Sequence, residues 1–225
     1  MAGLAVGVVV GLERERRSLV RGWGHGYAPM PLLAVAMGPE AATRAAEHLL
    51  ASGAEFLVAF GTAGALDPAL RPGDLVVPDT VGDGDTSIRL QQDDLRARLE
   101  ASGGRLLGVR TPLVEIDAKI DAAARGFAAV DMESFAVARV AGEAGVPVRV
   151  VRAIVDPARR RLPHVARVAV DDAGRLKPLA ICAALTGRPR EWPLVWRTAR
   201  DARAAEASLR RAAATLARLA GQGLL

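Results

Sequence analysis

Two acidic residues that flank a methionine are the first candidates for chemistry in this sequence, because they stand where an apolar run ends. The run covers residues 127–130, and Asp131-Met132-Glu133 follow it directly. Small and apolar residues then recur at helical spacing, which predicts a buried strand that leads into a helix. Either Asp131 or Ser134 is a candidate cap for the helix, and acids are favourable near its positive end, which explains Asp131. Glu133 stands at the carboxyl end of a strand, where open α/β sheets bind ligands, so we weigh a binding role for it equally with a structural one.

Two other predicted strands also end at a carboxylate. The apolar run 146–155 is followed by Asp156, and burial there would raise the pKa of its carboxyl group and make it a candidate general acid. The alternative is a turn aspartate before proline, which is common. Glu15 follows the β-branched run 4–10 and stands among arginines. It is either a ligand-facing residue at a strand end or part of a solvated helix start with weak ion pairs.

A segment of small residues, Gly61-Thr62-Ala63-Gly64, follows the predicted strand 56–60 and is interpreted as a loop. Its glycines would let a flat or anionic ligand reach backbone N–H groups, and Thr62 adds a hydroxyl. The spacing matches neither the dinucleotide-binding motif nor the P-loop. Taken alone, the segment is therefore better explained as an ordinary glycine turn.

These elements belong to an alternation of strands and helices that predicts a single α/β domain over 1–225, with a mixed, mostly parallel central sheet flanked by helices. A helical, Arg-rich extension is expected at 191–220, as one long amphipathic helix or a helix pair. Strands are predicted at 4–10, 32–36, 56–60, 75–77, 106–110, 127–130 and 146–155, helices at 37–52, 95–102, 117–125, 174–187 and 191–219, and loops at 21–31 and 79–92.

Composition restricts the class of protein. The single cysteine, Cys182, excludes a disulfide framework and indicates a reducing compartment. No Cys/His cluster has metal-ligand spacing, so we expect no metal and no cofactor. Residues 1–12 are interpreted as a strand rather than a signal peptide. Since no apolar run approaches the roughly 20 residues of a membrane span, we expect a soluble, cytoplasmic protein.

The formal charge of +5 comes almost entirely from arginine, since Lys119 and Lys177 are the only lysines. A basic surface attracts phosphates, nucleic acid or anionic lipid, but biased base composition in the genome explains most of these arginines. No recognition motif accompanies them, so nucleic-acid binding is the weakest interpretation. For the helix at 191–219, packing on the sheet is favoured over transient contact with an anionic membrane surface.

Taken together, the strand-end motifs resemble the purine nucleoside phosphorylase and methylthioadenosine nucleosidase superfamily. The matching segments cover about residues 4–157 and occur in the order and spacing of that superfamily. Within it, the chain is most similar to the hopanoid biosynthesis-associated phosphorylases, through Gly11-Leu12-x-x-Glu15, the Asp-Met-Glu-Ser spelling and the Arg-rich tail. The segments are Phe60-Gly61-Thr62-Ala63-Gly64, Gly73-Asp74-Leu75, Asp131-Met132-Glu133 and Arg152-Ala153-Ile154-Val155-Asp156.

The resemblance implies cleavage of an N-ribosyl bond, with release of adenine from adenosylhopane. By family position, Asp156 protonates adenine N7 and Glu15 activates the attacking water. Glu133 accepts hydrogen bonds from ribose hydroxyls, and Met132 lies against the sugar. Thr62, Ala63 and Gly64 match the segment beside the base and the nucleophile. Two carboxylates kept in different protonation states fit this glycosidic chemistry.

The nucleophile is the point at which the sequence departs from the family name. Superfamily members that use phosphate often have an arginine where this chain has Phe60. Hydrolysis is therefore favoured over phosphorolysis, although Arg14 or Arg44 could bind inorganic phosphate as a co-substrate. No base-contacting residue before Val130 is assigned.

The substrate and the assembly stay open at this level. Trp23, Tyr27, Met30 and the tail tryptophans are candidates to line an apolar route for a lipid-like 5′ group. The alternatives are a methylthioadenosine or adenosylhomocysteine nucleosidase, and a nucleoside-binding protein without catalysis. The resemblance also implies a homo-oligomer.

Overall fold

The apolar runs of the sequence form the strands of one mixed sheet in the computed structural model, which describes residues 5–24, 28–161 and 192–225. The strands are β1 (Val6–Val10), β2 (Leu32–Val35), β3 (Phe56–Ala65), β4 (Leu75–Val76), β5 (Thr80–Gly82), β6 (Ser87–Arg89), β7 (Arg105–Gly108), β8 (Phe127–Asp131) and β9 (Val148–Asp156). The helices are α1 (Glu13–Trp23), α2 (Pro39–Ala51), α3 (Asp93–Leu99), α4 (Ile116–Ala124), α5 (Ser134–Ala144) and α6 (Trp192–Gln222). The predicted helix 174–187, Cys182 and Tyr27 lie outside the described residues.

Strand β3 is the junction of the sheet. It pairs in parallel with β1 on one side and with β9 on the other. At its end it also pairs antiparallel with β8, through Gly64 opposite Val130, and β8 continues into β7, β5 and β6. Most pairings are parallel, so the predicted mixed, mostly parallel sheet is confirmed.

Helices cover both faces of the sheet because the strand side chains alternate between two apolar clusters. On one face Val9 packs with residues of α2 and α5. On the other face Val8 and Val10 pack with residues of α1 and α6. A Cβ on Gly22 would lie 2.2 Å from the backbone oxygen of Arg210, so this glycine allows α1 and α6 to approach closely. Among the described helices, none is long and apolar enough to cross a membrane.

The predicted loop at 61–64 is wrong, because β3 continues through it to Ala65. Small residues suggested a turn, but Gly61, Thr62 and Ala63 each pair with a residue of β9 before the register shifts. The predicted loop 79–92 is also wrong in part, since β5 and β6 form a hairpin there. The loop predicted at 21–31 begins too early, because α1 ends at Trp23.

The Arg-rich extension forms one helix, and its packed part begins at Asp201. From there onward alanines and leucines such as Leu209 and Leu216 are buried against α1. The tail tryptophans do not belong to this packed stripe, since Trp192 and Trp196 are 52% and 68% exposed.

Candidate active site

Glu15 in the first turn of α1 joins that helix to β3. Its Oε2 accepts hydrogen bonds from the backbone N–H groups of Gly11 and Leu12, both at 2.9 Å, as glutamate does at this helix position in a capping box. Its Oε1 accepts from the N–H of Thr62 at 2.8 Å and from the Thr62 hydroxyl at 2.6 Å. Glu15 is buried, so the alternative of a solvated residue is wrong for it.

Glu133 immediately precedes α5 and lies beside Glu15. A Cβ on Gly11 would lie 3.1 Å from Glu133 Oε1, and the same oxygen accepts the N–H of Gly38 at 3.0 Å. Burial raises the pKa of Glu133 to about 7, with Arg152 opposing the shift and the charges of Asp131 and Glu15 adding to it. This carboxyl group can therefore change protonation state near neutral pH.

Arg152 is the member of this cluster for which no role is predicted from the sequence. It is fully buried on β9, its Nη2 lies 2.6 Å from Asp131 Oδ2 and its Nε donates to Ser134 Oγ at 2.9 Å. Its Nη1 has no hydrogen-bond partner in the described part of the chain. A Cβ on Gly61 would lie 2.5 Å from that Nη1 and 2.7 Å from Glu15 Oε2. The available signal was an arginine between Val150-Val151 and Ala153-Ile154 in a predicted buried strand, since buried charges are paired or functional.

Asp131 bonds to the first residue of α5, although the residue at the N-cap position of that helix is Glu133. It accepts the backbone N–H of Ser134 at 3.2 Å and the Ser134 hydroxyl at 2.5 Å. Together with its ion pair to Arg152, these bonds make it a support for the arginine at the start of α5.

Asp156 ends β9 and is held differently. Its Oδ2 is bonded to the ammonium group of Lys119, a buried residue of α4. Its Oδ1 is buried and has no hydrogen-bond partner among the described residues. Burial raises the pKa of Asp156, and the attraction of Lys119 opposes that shift. The predicted general acid therefore has a raised pKa and one unused oxygen.

The predicted site residues fall into two groups joined by the end of β3. Glu15, Glu133 and Thr62 lie together, whereas a Cβ on Gly64 would lie 3.7 Å from Asp156 Oδ2. The two groups are separated by the β3 segment from Thr62 to Gly64. Two residues of a strand span about 7 Å, so this is the approximate length of that segment. The Ala63 side chain faces the apolar core, so its contribution to such a site is its backbone.

Met132 borders an open cavity of about 750 Å³ on the α2 and α5 side of the sheet. Its lining combines apolar side chains, among them Met132, Val109 and Phe135, with charged ones. The charged residues are Glu40, Arg44, Asp83, Arg110 and Arg139. The route predicted along Trp23 is wrong, because Trp23 is buried in the core on the other face, with its indole N–H bonded to Pro29. Within the described ranges, no three His, Cys, Asp or Glu side chains are grouped to hold a metal ion.

Comparison with known proteins gives one family and several related folds. The family model described as "Phosphorylase superfamily" matches residues 18–186. No curated protein matches the chain. Solved structures with the same fold include three bacterial enzymes. They are futalosine hydrolase of Helicobacter pylori strain 26695 (TM-score 0.65, 18% identity, 98% of each chain covered), a 5′-methylthioadenosine/S-adenosylhomocysteine nucleosidase from Helicobacter pylori with butyl-thio-DADMe-Immucillin-A (0.65, 17%, 96% of this chain and 97% of that one), and the corresponding Colwellia psychrerythraea 34H nucleosidase in complex with adenine (0.60, 21%, 69% and 84%).

Proposed function

The chain belongs to the phosphorylase superfamily, and we propose that it is a nucleosidase that hydrolyses the N-ribosyl bond of an adenine nucleoside. One observation carries this proposal: buried carboxylates stand at both ends of the short β3 segment from Thr62 to Gly64. Glu15 and Glu133 lie at one end and Asp156 at the other. The nucleosidase of similar fold that was solved with adenine supports adenine as the base.

The two groups supply what cleavage of the C1′–N9 bond needs. As the bond breaks, its electron pair moves to the base, and Asp156 gives a proton to N7 through its unused Oδ1. Positive charge develops on the ribose, where the carboxylates of Glu15 and Glu133 stabilise it. Water adds to C1′ and loses a proton to Glu15. Glu133 holds the ribose hydroxyls, with Met132 against the sugar.

Charge at the Glu15 end favours water over phosphate as the nucleophile. Three carboxyl groups, those of Glu15, Asp131 and Glu133, lie around the guanidinium of Arg152. A phosphate dianion placed beside them would meet like charge. Phe60, at the position where an arginine would favour phosphate, is fully buried in the core.

For the substrate, we propose adenosylhopane, whose 5′ group is a lipid-like hydrocarbon. The cavity beyond Met132 has about 750 Å³, and Val109 and Phe135 give it an apolar part beside its charged residues. A methylthio group would leave most of that volume empty. The sequence resemblance to hopanoid-associated enzymes supports the same substrate, and methylthioadenosine is the second candidate.

The test is to incubate the protein with adenosylhopane or with methylthioadenosine, each with and without inorganic phosphate. We expect adenine release from adenosylhopane with the higher kcat/KM, no requirement for phosphate, and a sugar product whose mass corresponds to addition of water. A ribose 1-phosphate would overturn hydrolysis. A preference for methylthioadenosine would overturn the lipid-like 5′ group, and adenine release from neither would overturn the enzyme assignment.

Asp156→Asn is the matched variant for the acid. Asparagine keeps the size of the side chain but has no transferable proton, and general acid catalysis contributes roughly 10²–10⁴-fold. We expect kcat to fall about 10³-fold, with a circular dichroism spectrum close to that of the wild type and a lower Tm, because the buried Lys119 loses its carboxylate partner. Unchanged turnover would remove Asp156 from the mechanism.

A further inference from the structure

Lys119 is a buried lysine that none of the motifs includes. It lies on α4 and is 1% exposed. Its ammonium group bonds to Asp156 Oδ2 and donates to the backbone oxygens of Pro157, at 3.2 Å, and Arg160, at 2.8 Å. An ammonium group has three donors, so each of them has an acceptor at the end of β9.

Burying an ammonium group costs several kcal/mol unless it is paired. A hydrophobic side chain at position 119 would avoid that cost, and the neighbouring Ala122 on α4 belongs to an apolar cluster. The lysine therefore has a local consequence that an apolar residue could not supply: it places a fixed positive charge on one oxygen of Asp156 and leaves the other oxygen unused.

We propose that Lys119 is a positioning residue that orients Asp156 and tunes it as the proton donor to the leaving base, an inference that rests on the proposed function. With Oδ2 held by the ammonium group, the transferable proton belongs on Oδ1. When Oδ1–H gives its proton to N7 of the base, the carboxylate that forms is already paired with Lys119. No further group has to move to stabilise the new charge, which is the advantage of a preorganised site.

The other charged residues that affect the pKa of Asp156 act in opposite directions. Arg160 lowers the pKa of Asp156 and Asp201 of α6 raises it. These two residues form an ion pair with each other, so their effects on Asp156 oppose one another. Lys119 is the largest influence that opposes burial.

Three variants separate charge from hydrogen bonding. Lys119→Met removes both, Lys119→Gln keeps amide donors for the backbone oxygens without the charge, and Lys119→Arg keeps the charge. The measurement is kcat/KM for adenine release against pH, in which activity falls on the alkaline side as Asp156 loses its proton. Without the ammonium charge the pKa of Asp156 rises, so this alkaline limb should move to higher pH by about one unit or more in the Met and Gln variants.

We also expect kcat at neutral pH to fall roughly 10-fold to 100-fold in both, since a weaker acid donates less readily. Lys119→Arg should keep the limb close to that of the wild type. A merely structural lysine would lower activity or Tm without moving the limb. If the alkaline limbs of the Met and Gln variants coincide with that of the wild type, the proposal is overturned.

A second readout does not depend on turnover. In protein with ¹³C-labelled aspartate carboxyl groups, the NMR signal that is missing in Asp156→Asn identifies Asp156. Its titration should move to higher pH in Lys119→Gln, and an unchanged titration would also overturn the proposal. If the wild type releases no adenine, the proposed function fails, and the role of Lys119 in proton donation fails with it. If the wild type is active and neither measurement moves, only the Lys119 inference fails.

Discussion

The two carboxylates at the ends of the β3 segment are held in opposite ways. Glu15 accepts four hydrogen bonds from neutral donors, which are three backbone N–H groups and the Thr62 hydroxyl. Within residues 5–24, 28–161 and 192–225, Asp156 has one charged hydrogen-bond partner, Lys119, and an oxygen without a partner. A carboxylate has about four acceptor positions, so Glu15 is saturated whereas Asp156 is left with capacity for a ligand.

This difference predicts which kind of mutation will affect each end of the β3 segment. The contacts of Glu15 come from two segments, the turn after β1 and strand β3, which meet at the Gly11 and Gly61 backbone. A local change there therefore displaces several groups at once. Asp156 depends on a single long side chain from α4. We therefore expect the Glu15 end to be sensitive to packing and the Asp156 end to be sensitive to charge.

The largest expected effect that tests this contrast is that of Gly61→Ala. The added methyl group would meet Arg152 Nη1 and Glu15 Oε2, at 2.5 and 2.7 Å. Glu15 Oε2 is held by two backbone N–H groups, and the fully buried Arg152 is anchored through its Nη2 and Nε by Asp131 and Ser134, so neither group can move freely. Misplacing a catalytic group by about 1 Å can cost about 100-fold in rate, and we expect kcat/KM for adenine release to fall by about that factor.

Gly64→Ala is the matched change at the Asp156 end. Its methyl group would lie 3.3 Å from Val130 Cγ1 and 3.7 Å from Asp156 Oδ2, contacts that small side-chain shifts relieve. We expect a much smaller loss in kcat/KM than for Gly61→Ala, and a Tm near that of the wild type. Gly142→Ala, where a Cβ meets nothing within 4 Å, controls for the substitution itself. Equal losses at positions 61 and 64 would contradict the contrast.

The parts of the molecule that the sequence could predict depend on local patterns, and the parts that it could not predict depend on contacts between distant residues. Strands, helices and the ordered motifs follow from local apolar patterns, and the predicted α/β fold is confirmed. The extension of β3 through Gly61 was missed because pairing with a distant strand overrides the turn preference of glycine. Lys119 was missed because its partner is 37 residues away, and no local pattern indicates such a contact.

The second expected effect concerns Glu133, whose pKa is about 7. If the ionised form accepts the ribose hydroxyls, substrate binding weakens as the carboxylate is protonated below that pH. We expect KM for the nucleoside to rise about tenfold between pH 8 and pH 6, as expected for a group with this pKa. Glu133→Gln should raise KM at every pH and remove its pH dependence. A KM that is independent of pH in the wild type would contradict a binding role for the carboxylate.

Folding stability tests the same pKa without substrate. The folded-state value of about 7 lies above the ordinary value of 4.5, so the folded protein binds more protons than the unfolded chain between these pH values. The contribution of Glu133 to stability is therefore fully present below pH 4.5 and is lost as the pH rises to about 7. Urea titrations should show a shallower pH dependence in this window for Glu133→Gln than for the wild type.

The smallest expected effect is that of Thr62→Val, which removes one donor from the saturated Glu15. The hydroxyl is the contact most easily replaced, because the three N–H donors are fixed by the backbone. An attacking water that gives its proton to Glu15 has to compete with this hydroxyl, so its loss opens an acceptor position while removing a bond worth about 1.5–3 kcal/mol. We expect Tm to fall by several degrees and kcat to stay within about fivefold of the wild type, with Thr62→Ser retaining both. A loss of kcat as large as that of Gly61→Ala would instead mean that the hydroxyl itself positions the nucleophile, and that saturation of Glu15 is part of its reactive state.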